Sequence, residues 1–168
     1  TGTIQIDSVE NQGTFIHVVI PFEIAEEPAA VQEMSELPKE NLSGCRILLA
    51  EDNELNREIA AFLLKDEGIS VTEAEDGQQA VELFKEKPAG TFDAILMDLM
   101  MPVMDGYTAT KKIRSLEHSD AKTIPIIAMT ANAFQEDAEK CIAVGMNAHL
   151  AKPLDIEKMK KTIKSICS

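Results

Sequence analysis

The sequence of 168 residues contains no tryptophan and a single tyrosine, and aromatic residues make up 4% of the chain. Its three cysteines, Cys45, Cys141 and Cys167, form an odd and sparse set, which argues against a disulfide framework and fits a reducing compartment. No apolar run approaches the roughly 18 residues of a membrane span and no signal peptide is visible, so a cytoplasmic location without membrane contact is expected. The chain starts at Thr1 rather than at methionine, which favours a fragment of a longer protein.

Basic residues are also scarce. Lysine and arginine number 16 against 29 aspartates and glutamates, and the formal net charge is −13. A charge of this sign repels phosphate backbones, so direct binding to nucleic acid is not expected. The hydrophobic fraction of 45% excludes a wholly disordered chain and permits a substantial core.

The chain changes character twice along its length. Residues 2–8 and 14–21 are rich in β-branched residues and predict two short strands joined by a turn. Residues 24–43 then carry prolines and a row of glutamates that cannot build a core, which is typical of a solvated acidic linker. Residues 44–168 hold the remaining periodic segments, and we expect them to form the main folded domain.

Short apolar runs alternate with helical patterns in this main domain. The runs predict strands at 45–50, 69–74, 92–98, 124–130 and 146–150, each followed by a predicted helix. Five strands that alternate with five helices imply an α/β fold in which helices cover both faces of a parallel sheet. In such sheets, functional sites form where the carboxyl ends of the strands meet.

Charged and polar residues stand at those strand ends. In chain order they are Glu51 and Asp52 after the first strand, Asp98 at the end of the third, Thr130 at the end of the fourth and Lys152 after the fifth. Two carboxylates about 4 Å apart repel by roughly 4 kcal/mol at an effective dielectric constant of about 20, so three of them are not expected to persist unpaired. A set of oxygen ligands of this kind favours Mg²⁺ or Mn²⁺.

Asp98 is the best candidate for a nucleophile, because it ends the central strand and opens a loop. A carboxylate that attacks phosphorus yields an acyl phosphate. Phosphoryl transfer mainly needs positioning and neutralisation of charge, which a divalent cation, the Lys152 ammonium and the Thr130 hydroxyl would supply.

Four stretches make residues 44–168 resemble a receiver domain of two-component signalling. They are ILLAEDNELN (47–56), FDAILMDLMMPVMDGYTATKKIR (92–114), IPIIAMTANA (124–133) and GMNAHLAKPLD (145–155). The resemblance implies a flavodoxin-like fold with sheet order 2-1-3-4-5 and a function as a phosphoacceptor in a phosphorelay.

The resemblance also implies roles for the residues at the strand ends. Asp98 would accept a phosphoryl group from a phosphohistidine donor, and Thr130 and Lys152 would bind the phosphoryl oxygens. The implied ligands of Mg²⁺ are Asp52, Asp98 and the main-chain carbonyl of Met100. Glu51 would reach the metal through a water molecule.

The N-terminal stretch GTIQIDSVENQGTFIHVVIP (2–21) resembles the tail of a histidine-kinase ATP-binding domain. The phosphate-cradling glycine motifs of such a domain are absent, so this fragment is not expected to bind ATP. A kinase remnant at 1–23, an acidic linker at 24–43 and a receiver at 44–168 resemble the C-terminal part of a hybrid sensor histidine kinase. This implies relay to a histidine phosphotransfer domain or a conformational switch, and it leaves open a homodimer formed through the parent kinase.

Two further predictions concern the surroundings of the site. His149 stands where receivers usually carry phenylalanine or tyrosine, three residues before the site lysine, and is predicted to act in the switch with Thr130. On the first helix, the residues predicted to share one apolar face are Leu55, Ile59, Phe62 and Leu63. The additional apolar residues Ala60 and Leu64 then predict a docking patch for a histidine-bearing helical domain.

Three other functions compete with the phosphoacceptor hypothesis. A metal-dependent phosphatase of the haloacid dehalogenase type would need a second aspartate two residues after the nucleophile, where this chain has Met100. A flavin-phosphate module would need a Ser/Thr/Gly-rich loop after the first strand, where Glu51, Asp52 and Asn53 repel phosphate. A non-phosphorylated interaction module stays open, although the complete set of acid, threonine and lysine argues against it.

Overall fold

The structure, a computed structural model, describes residues 2–9, 13–21, 42–131 and 135–167. The chain divides into two compact units, Thr1–Lys39 and Glu40–Ser168. Most of the predicted acidic linker, residues 24–41, lies outside the described residues. Within the described ranges, no helix has the length and apolar character needed to cross a membrane.

The first unit contains an antiparallel hairpin, in agreement with the two strands predicted from its β-branched runs. Strand β1 covers Thr3–Val9 and strand β2 covers Gly13–Val19. Paired residues share a face of a hairpin, so one face carries the apolar side chains of Ile4, Ile6, Ile16 and Val18. These four side chains are exposed, so the hairpin does not cover its own apolar face.

Five strands alternate with five helices in the described part of the second unit. The strands are β3 (Arg46–Ala50), β4 (Ser70–Ala74), β5 (Ala94–Asp98), β6 (Ile126–Thr130) and β7 (Ala148–Ala151). The helices are α1 (Glu54–Asp66), α2 (Gly77–Glu86), α3 (Gly106–Ser115), α4 (Gln135–Ala143) and α5 (Ile156–Cys167). Neighbouring strands are parallel in the order β4-β3-β5-β6-β7, which confirms the α/β fold and the sheet order 2-1-3-4-5 counted from β3.

Each central strand buries side chains on both faces of the sheet, because successive residues of a strand point to opposite sides. Leu48 and Ala50 of β3 belong to the core on the side of α2 and α3. Ile47 and Leu49 belong to the core on the side of α1 and α5. This double burial explains why the strands appear in the sequence as continuous apolar runs.

The face that α1 presents to the sheet differs from the predicted one. Ala60 and Leu64 are 2% and 0% exposed and pack in the core beside β3, so the prediction of a docking patch at these two residues is wrong. Leu55, Ile59 and Phe62 are instead 64%, 50% and 68% exposed. The helix carries two apolar stripes, and the stripe with small alanine side chains lets the helix backbone lie close to the sheet.

Glycine is required where α3 begins beside the end of β5. The amide of Gly106 donates to the carbonyl oxygen of Leu99 at 3.1 Å. A methyl group at position 106 would overlap the carbonyl oxygen of Asp98. The constraint on Gly106 is therefore the close approach of two backbone segments, one of which carries Asp98.

Gly106→Ala is expected to lower the free energy of unfolding by about 1–3 kcal/mol, which is the usual cost of overpacking a close contact. Lys111→Ala, on the exposed side of the same helix, is the control and should change stability by less than about 0.5 kcal/mol. Urea unfolding followed by circular dichroism measures both variants. Equal stability of the two would contradict the close contact.

Candidate functional site

The carboxyl ends of four neighbouring strands bring the predicted site residues together. The strand register pairs Ala50 of β3 with Met97 of β5. Glu51, which follows β3, therefore lies beside Asp98, the last residue of β5. Thr130 ends β6 next to Asp98. The amide of Lys152, which follows β7, donates to the carbonyl oxygen of Thr130 at 2.7 Å. Residues that are far apart in the chain thus share one edge of the sheet.

The acidic residues at this edge do not cap the helices that follow. Asn53 caps α1 and Asp105 caps α3, each by accepting a hydrogen bond from a backbone amide of the first turn, at 3.0 and 2.7 Å. An acid at the end of a strand commonly serves as such a cap. Asn53 and Asp105 serve as the caps here, so another explanation is needed for Asp98 and for the residues Glu51 and Asp52, which we call the acid pair.

The acid pair and Asp98 form a compact cluster of carboxylates. One carboxylate oxygen from each of the three residues lies within 4.8 Å of the other two. Glu51 is 2% and Asp98 is 5% exposed, whereas Asp52 is exposed. Two such charges at about 4 Å repel by roughly 4 kcal/mol at an effective dielectric constant of about 20, so the cluster needs a positive counter-charge.

Lys152 supplies a counter-charge to the two buried acids. Its Nζ lies 2.6 Å from Oε2 of Glu51 and 2.8 Å from Oδ2 of Asp98. Burial alone lowers the pKa of Lys152, but the hydrogen bonds to Asp98 and Glu51 outweigh that effect and raise the pKa above its ordinary value. The amine is therefore charged at neutral pH and joins the two carboxylates.

Two further donors orient these carboxylates. Nδ2 of Asn56 donates to Oε1 of Glu51 at 3.1 Å, and the amide of Met100 donates to Oδ1 of Asp98 at 3.3 Å. Protein donors therefore contact both oxygens of Glu51. Asn56 was not predicted as a site residue, because its one signal in the sequence is its place in the first turn of the helix that follows the acid pair.

Arg57 is a second residue that the sequence analysis missed. Its side chain is 12% exposed, and Nη1 donates to the main-chain oxygen of Glu51 at 2.9 Å. No motif marks it in the sequence, because a basic residue on an amphipathic helix is ordinarily part of the solvated face. Only the packed structure places its guanidinium behind the acid pair.

The remaining predicted site residues lie around this cluster. Thr130 is buried, at 6% exposed, whereas the side chain of Met100 is 79% exposed. His149 lies on β7 with an exposed side chain. The switch role of Thr130 and His149 stays a prediction, and so does metal binding by the main-chain carbonyl of Met100.

A cavity of about 390 Å³ opens beside the charged cluster. Its lining residues are Glu51, Asn56, Ile59, Ala60, Lys152, Pro153 and Leu154. The apolar part of this lining continues onto the surface of α1 through Ile59, which is half exposed. We call the exposed residues Leu55, Ile59 and Phe62 the α1 apolar face, since their spacing places them on one side of the helix.

The comparisons with known proteins identify the family. Residues 47–164 match the family model of the response regulator receiver domain, and the chain therefore belongs to this family. The matched residues begin in β3 and end in α5, so they include the whole carboxylate cluster and Lys152.

The similar curated proteins are histidine kinases. Histidine kinase 1 of Arabidopsis thaliana is 39% identical over an alignment of 158 positions, which covers 76% of this chain and 13% of that protein. Hybrid signal transduction histidine kinase B of Dictyostelium discoideum is 45% identical over an alignment of 118 positions, which covers 65% of this chain and 6% of that protein. The chain thus corresponds to a small part of each of these relatives, and it is a receiver domain of the type found in hybrid histidine kinases.

Two similar solved structures are receiver domains. One is the receiver domain of sensor histidine kinase PA1611 from Pseudomonas aeruginosa PAO1, which was solved with a magnesium ion coordinated in its active site cleft. It is 41% identical to this chain with a TM-score of 0.66, and the match covers 74% of this chain and 98% of that one. The receiver domain of Ssk1 from Saccharomyces cerevisiae, solved with the histidine phosphotransfer protein Ypd1, is 32% identical with a TM-score of 0.64. It covers 73% of this chain and 88% of that one. The fold of this chain is therefore shared with phosphorelay receivers.

Replacing Lys152 with methionine is expected to lower the free energy of unfolding by about 3–5 kcal/mol at neutral pH in EDTA, because Glu51 and Asp98 would lose their buried counter-charge. Burial and mutual repulsion disfavour two unpaired negative charges, and this cost arises only in the folded state.

The control for this prediction is Lys65→Met, which removes a cation from an exposed pair with Glu73 at 3.0 Å. An exposed pair of this kind is expected to contribute less than about 1 kcal/mol. Urea unfolding at neutral pH in EDTA compares the two variants. If Lys152→Met were as stable as Lys65→Met at neutral pH, Lys152 would not be the counter-charge that the cluster depends on.

Proposed function

We propose that the chain is a phosphoacceptor domain in which Asp98 receives a phosphoryl group from a phosphohistidine. The observation that carries this proposal is the placement of Asp98. Its carboxylate is buried at the end of β5, within 4.8 Å of the acid pair on one side and 2.8 Å from Nζ of Lys152 on the other. This is an arrangement in which an acyl phosphate can form and its charge can be neutralised.

The carboxylate cluster fits a divalent cation. Carboxylate oxygens are the ligands that Mg²⁺ prefers, and Mn²⁺ accepts the same set. In this chain Asp52, Asp98 and the main-chain carbonyl of Met100 would hold Mg²⁺, and Glu51 would reach it through water. The bound ion would offset negative charge on the transferring group. The magnesium ion in the cleft of the Pseudomonas aeruginosa receiver supports this assignment.

Phosphoryl transfer then needs an oxygen of Asp98 in line with the phosphorus–nitrogen bond of the donor. The Asp98 oxygen forms the new bond to phosphorus while the bond to nitrogen breaks, and the electron pair stays on the donor imidazole. Lys152 and the Thr130 hydroxyl would bind the phosphoryl oxygens. Since Lys152 already joins Glu51 and Asp98, it can turn from Asp98 to a phosphoryl oxygen while Glu51 holds it in the site.

In the parent protein, we assign residues 1–23 to the end of a kinase ATP-binding domain, 24–43 to an acidic linker and 44–168 to the receiver. The exposed apolar face of the hairpin and the histidine-kinase relatives support this order. The phosphoryl group would come from a kinase histidine and pass to a histidine phosphotransfer domain. Phosphorylation of Asp98 would be sensed by Thr130 and His149.

Incubation with Mg²⁺ and acetyl phosphate is expected to add the mass of one phosphoryl group, because a small donor needs only the site itself. The adduct should be stable in acid and lost in base, as expected for an acyl phosphate. Asp98→Asn should remain unlabelled. Asp105→Asn is the matched control and should still be labelled, because asparagine also caps a helix. Intact-mass spectrometry measures the added mass in the wild type and in both variants. An unlabelled wild type, or a labelled Asp98→Asn, would refute the proposal.

We also assign the docking of the histidine-bearing partner to the α1 apolar face. These three residues are at least half exposed, and Ile59 also lines the cavity that contains Glu51 and Lys152. A partner that delivers an imidazole to Asp98 must cover this edge of the sheet, and exposed apolar side chains beside the site favour its binding. The complex of the Ssk1 receiver with Ypd1 supports a histidine phosphotransfer protein as this partner.

Ile59→Glu is expected to slow transfer from a phosphorylated histidine phosphotransfer protein by about ten-fold or more, the effect of losing one apolar anchor worth about 1.4 kcal/mol. Labelling by acetyl phosphate should not change, because the side chain at 59 is not part of the carboxylate cluster. Ile142→Glu on α4, where Ile142 is 61% exposed, is the control and should behave like the wild type with both donors. Equal rates of protein transfer for the two variants would contradict docking on α1.

A further inference from the structure

We propose that Arg57 is a positioning residue that fixes the loop carrying the acid pair. Its Nη1 donates to the main-chain oxygen of Glu51 at 2.9 Å and lies 3.5 Å from the main-chain oxygen of Asp52. The arginine thus contacts the backbone of both acidic residues while their carboxylates take part in the cluster with Asp98. This role rests on the proposed function, since the acid pair matters for phosphoryl transfer as the holder of a divalent cation.

The other nitrogens of the same guanidinium lie near the edge strand of the sheet. Nε lies 3.8 Å from Oε2 of Glu73, and Nη2 lies 3.8 Å from Oε1 of Glu75. Glu73 belongs to β4, and Glu75 follows that strand. Arg57 therefore links the loop after β3 to the end of β4, and the planar fork of an arginine is suited to hold several acceptors in fixed directions.

The burial of Arg57 shows that this link is more than a surface ion pair. Its side chain is 12% exposed, although the adjacent carboxylates of Glu73 and Glu75 are 35% and 71% exposed. The shortest contacts of the guanidinium are to carbonyl oxygens, not to these acids. The backbone of the acid pair is thus the group that Arg57 holds most closely.

Removal of Arg57 is expected to change Mg²⁺ affinity in opposite directions, depending on whether the residue acts through its charge or through its contacts with the backbone. A positive charge beside a cation site repels the cation, so removing Arg57 would tighten Mg²⁺ binding if the residue acted through its charge alone. If Arg57 instead keeps the backbone of Glu51 and Asp52 in place, removing it would loosen the ligands and weaken Mg²⁺ binding. Partners that orient metal ligands from behind typically change metal affinity by 10–100-fold, which exceeds the screened effect of a charge.

The test is the dissociation constant for Mg²⁺, measured by isothermal titration calorimetry on the whole chain as wild type, Arg57→Ala and Lys65→Ala. Lys65 is the matched control because it also pairs with Glu73, at 3.0 Å, and lies on the same helix. Within the described part of the chain, it does not contact the backbone of the acid pair. Alanine favours helix at both positions, so α1 should persist. We expect about a 10–100-fold higher dissociation constant for Arg57→Ala and less than about a two-fold change for Lys65→Ala.

Mg²⁺ affinity that is unchanged or higher in Arg57→Ala, or weakened equally in Lys65→Ala, overturns the positioning role. Urea unfolding confirms that each variant is folded; if Arg57→Ala is not, Arg57→Lys, which keeps the charge and loses the fork, is judged by the same criterion. A second readout is the Mg²⁺ dependence of acetyl phosphate labelling. Arg57→Ala should reach the wild-type labelling rate at higher Mg²⁺, whereas a lower rate at saturating Mg²⁺ would count against positioning.

These outcomes separate the inference from the proposed function. If the wild type is labelled at Asp98 and Arg57→Ala binds Mg²⁺ as well as the wild type does, the positioning role fails alone. If the wild type neither binds Mg²⁺ nor becomes labelled, both fail, because there is then no metal for the acid pair to hold.

Discussion

The attraction between the Lys152 ammonium and two buried carboxylates is the interaction on which the site depends. Glu51 and Asp98 are almost fully buried next to each other, and without a cation their repulsion would oppose the fold itself. Lys152 offsets that repulsion through contacts of 2.6 and 2.8 Å. In the proposed function, a divalent cation and a phosphoryl group would bring complementary charges to the site. Lys152 would then exchange its contact with Asp98 for one with the phosphoryl group and remain on Glu51.

The parallel sheet determines which residues lie near Lys152 and Asp98. Strand β3 lies between β4 and β5, so the acid pair is next to Asp98 in the central part of the sheet, and β6 and β7 bring Thr130 and Lys152 from the other side. Every crossover helix returns the chain to the same end of the sheet, which places all strand ends at one edge. The close packing of Gly106 against the backbone of Asp98 holds the central loop at that edge.

Helix α1 serves the site in two ways. Its first turn carries Asn56, which contacts the carboxylate of Glu51, and Arg57, which contacts the backbone of the same residue. Its exposed side carries the α1 apolar face, which reaches the cavity beside Lys152 through Ile59. A partner that binds this helix would therefore contact the same element that supports the acid pair. Binding of the partner could in this way change the positions of the Glu51 and Asp52 carboxylates.

The sequence by itself determined the strands and helices and marked the set Glu51, Asp52, Asp98, Thr130 and Lys152, since apolar periodicity and the polar residues that interrupt it are local signals. The order of the strands in the sheet followed only from the resemblance to receiver domains, and the structure confirms it. The tertiary structure decided which stripe of α1 is buried, because both stripes have a helical period and only packing against β3 favours the smaller side chains of Ala60 and its neighbours. It also decided the roles of Asn56 and Arg57, whose contacts depend on directions in space. Hydrogen bonds to a folded loop leave no periodic pattern in the sequence. Residues that make such bonds, such as Asn56 and Arg57, can therefore be identified only from the three-dimensional structure of the loop.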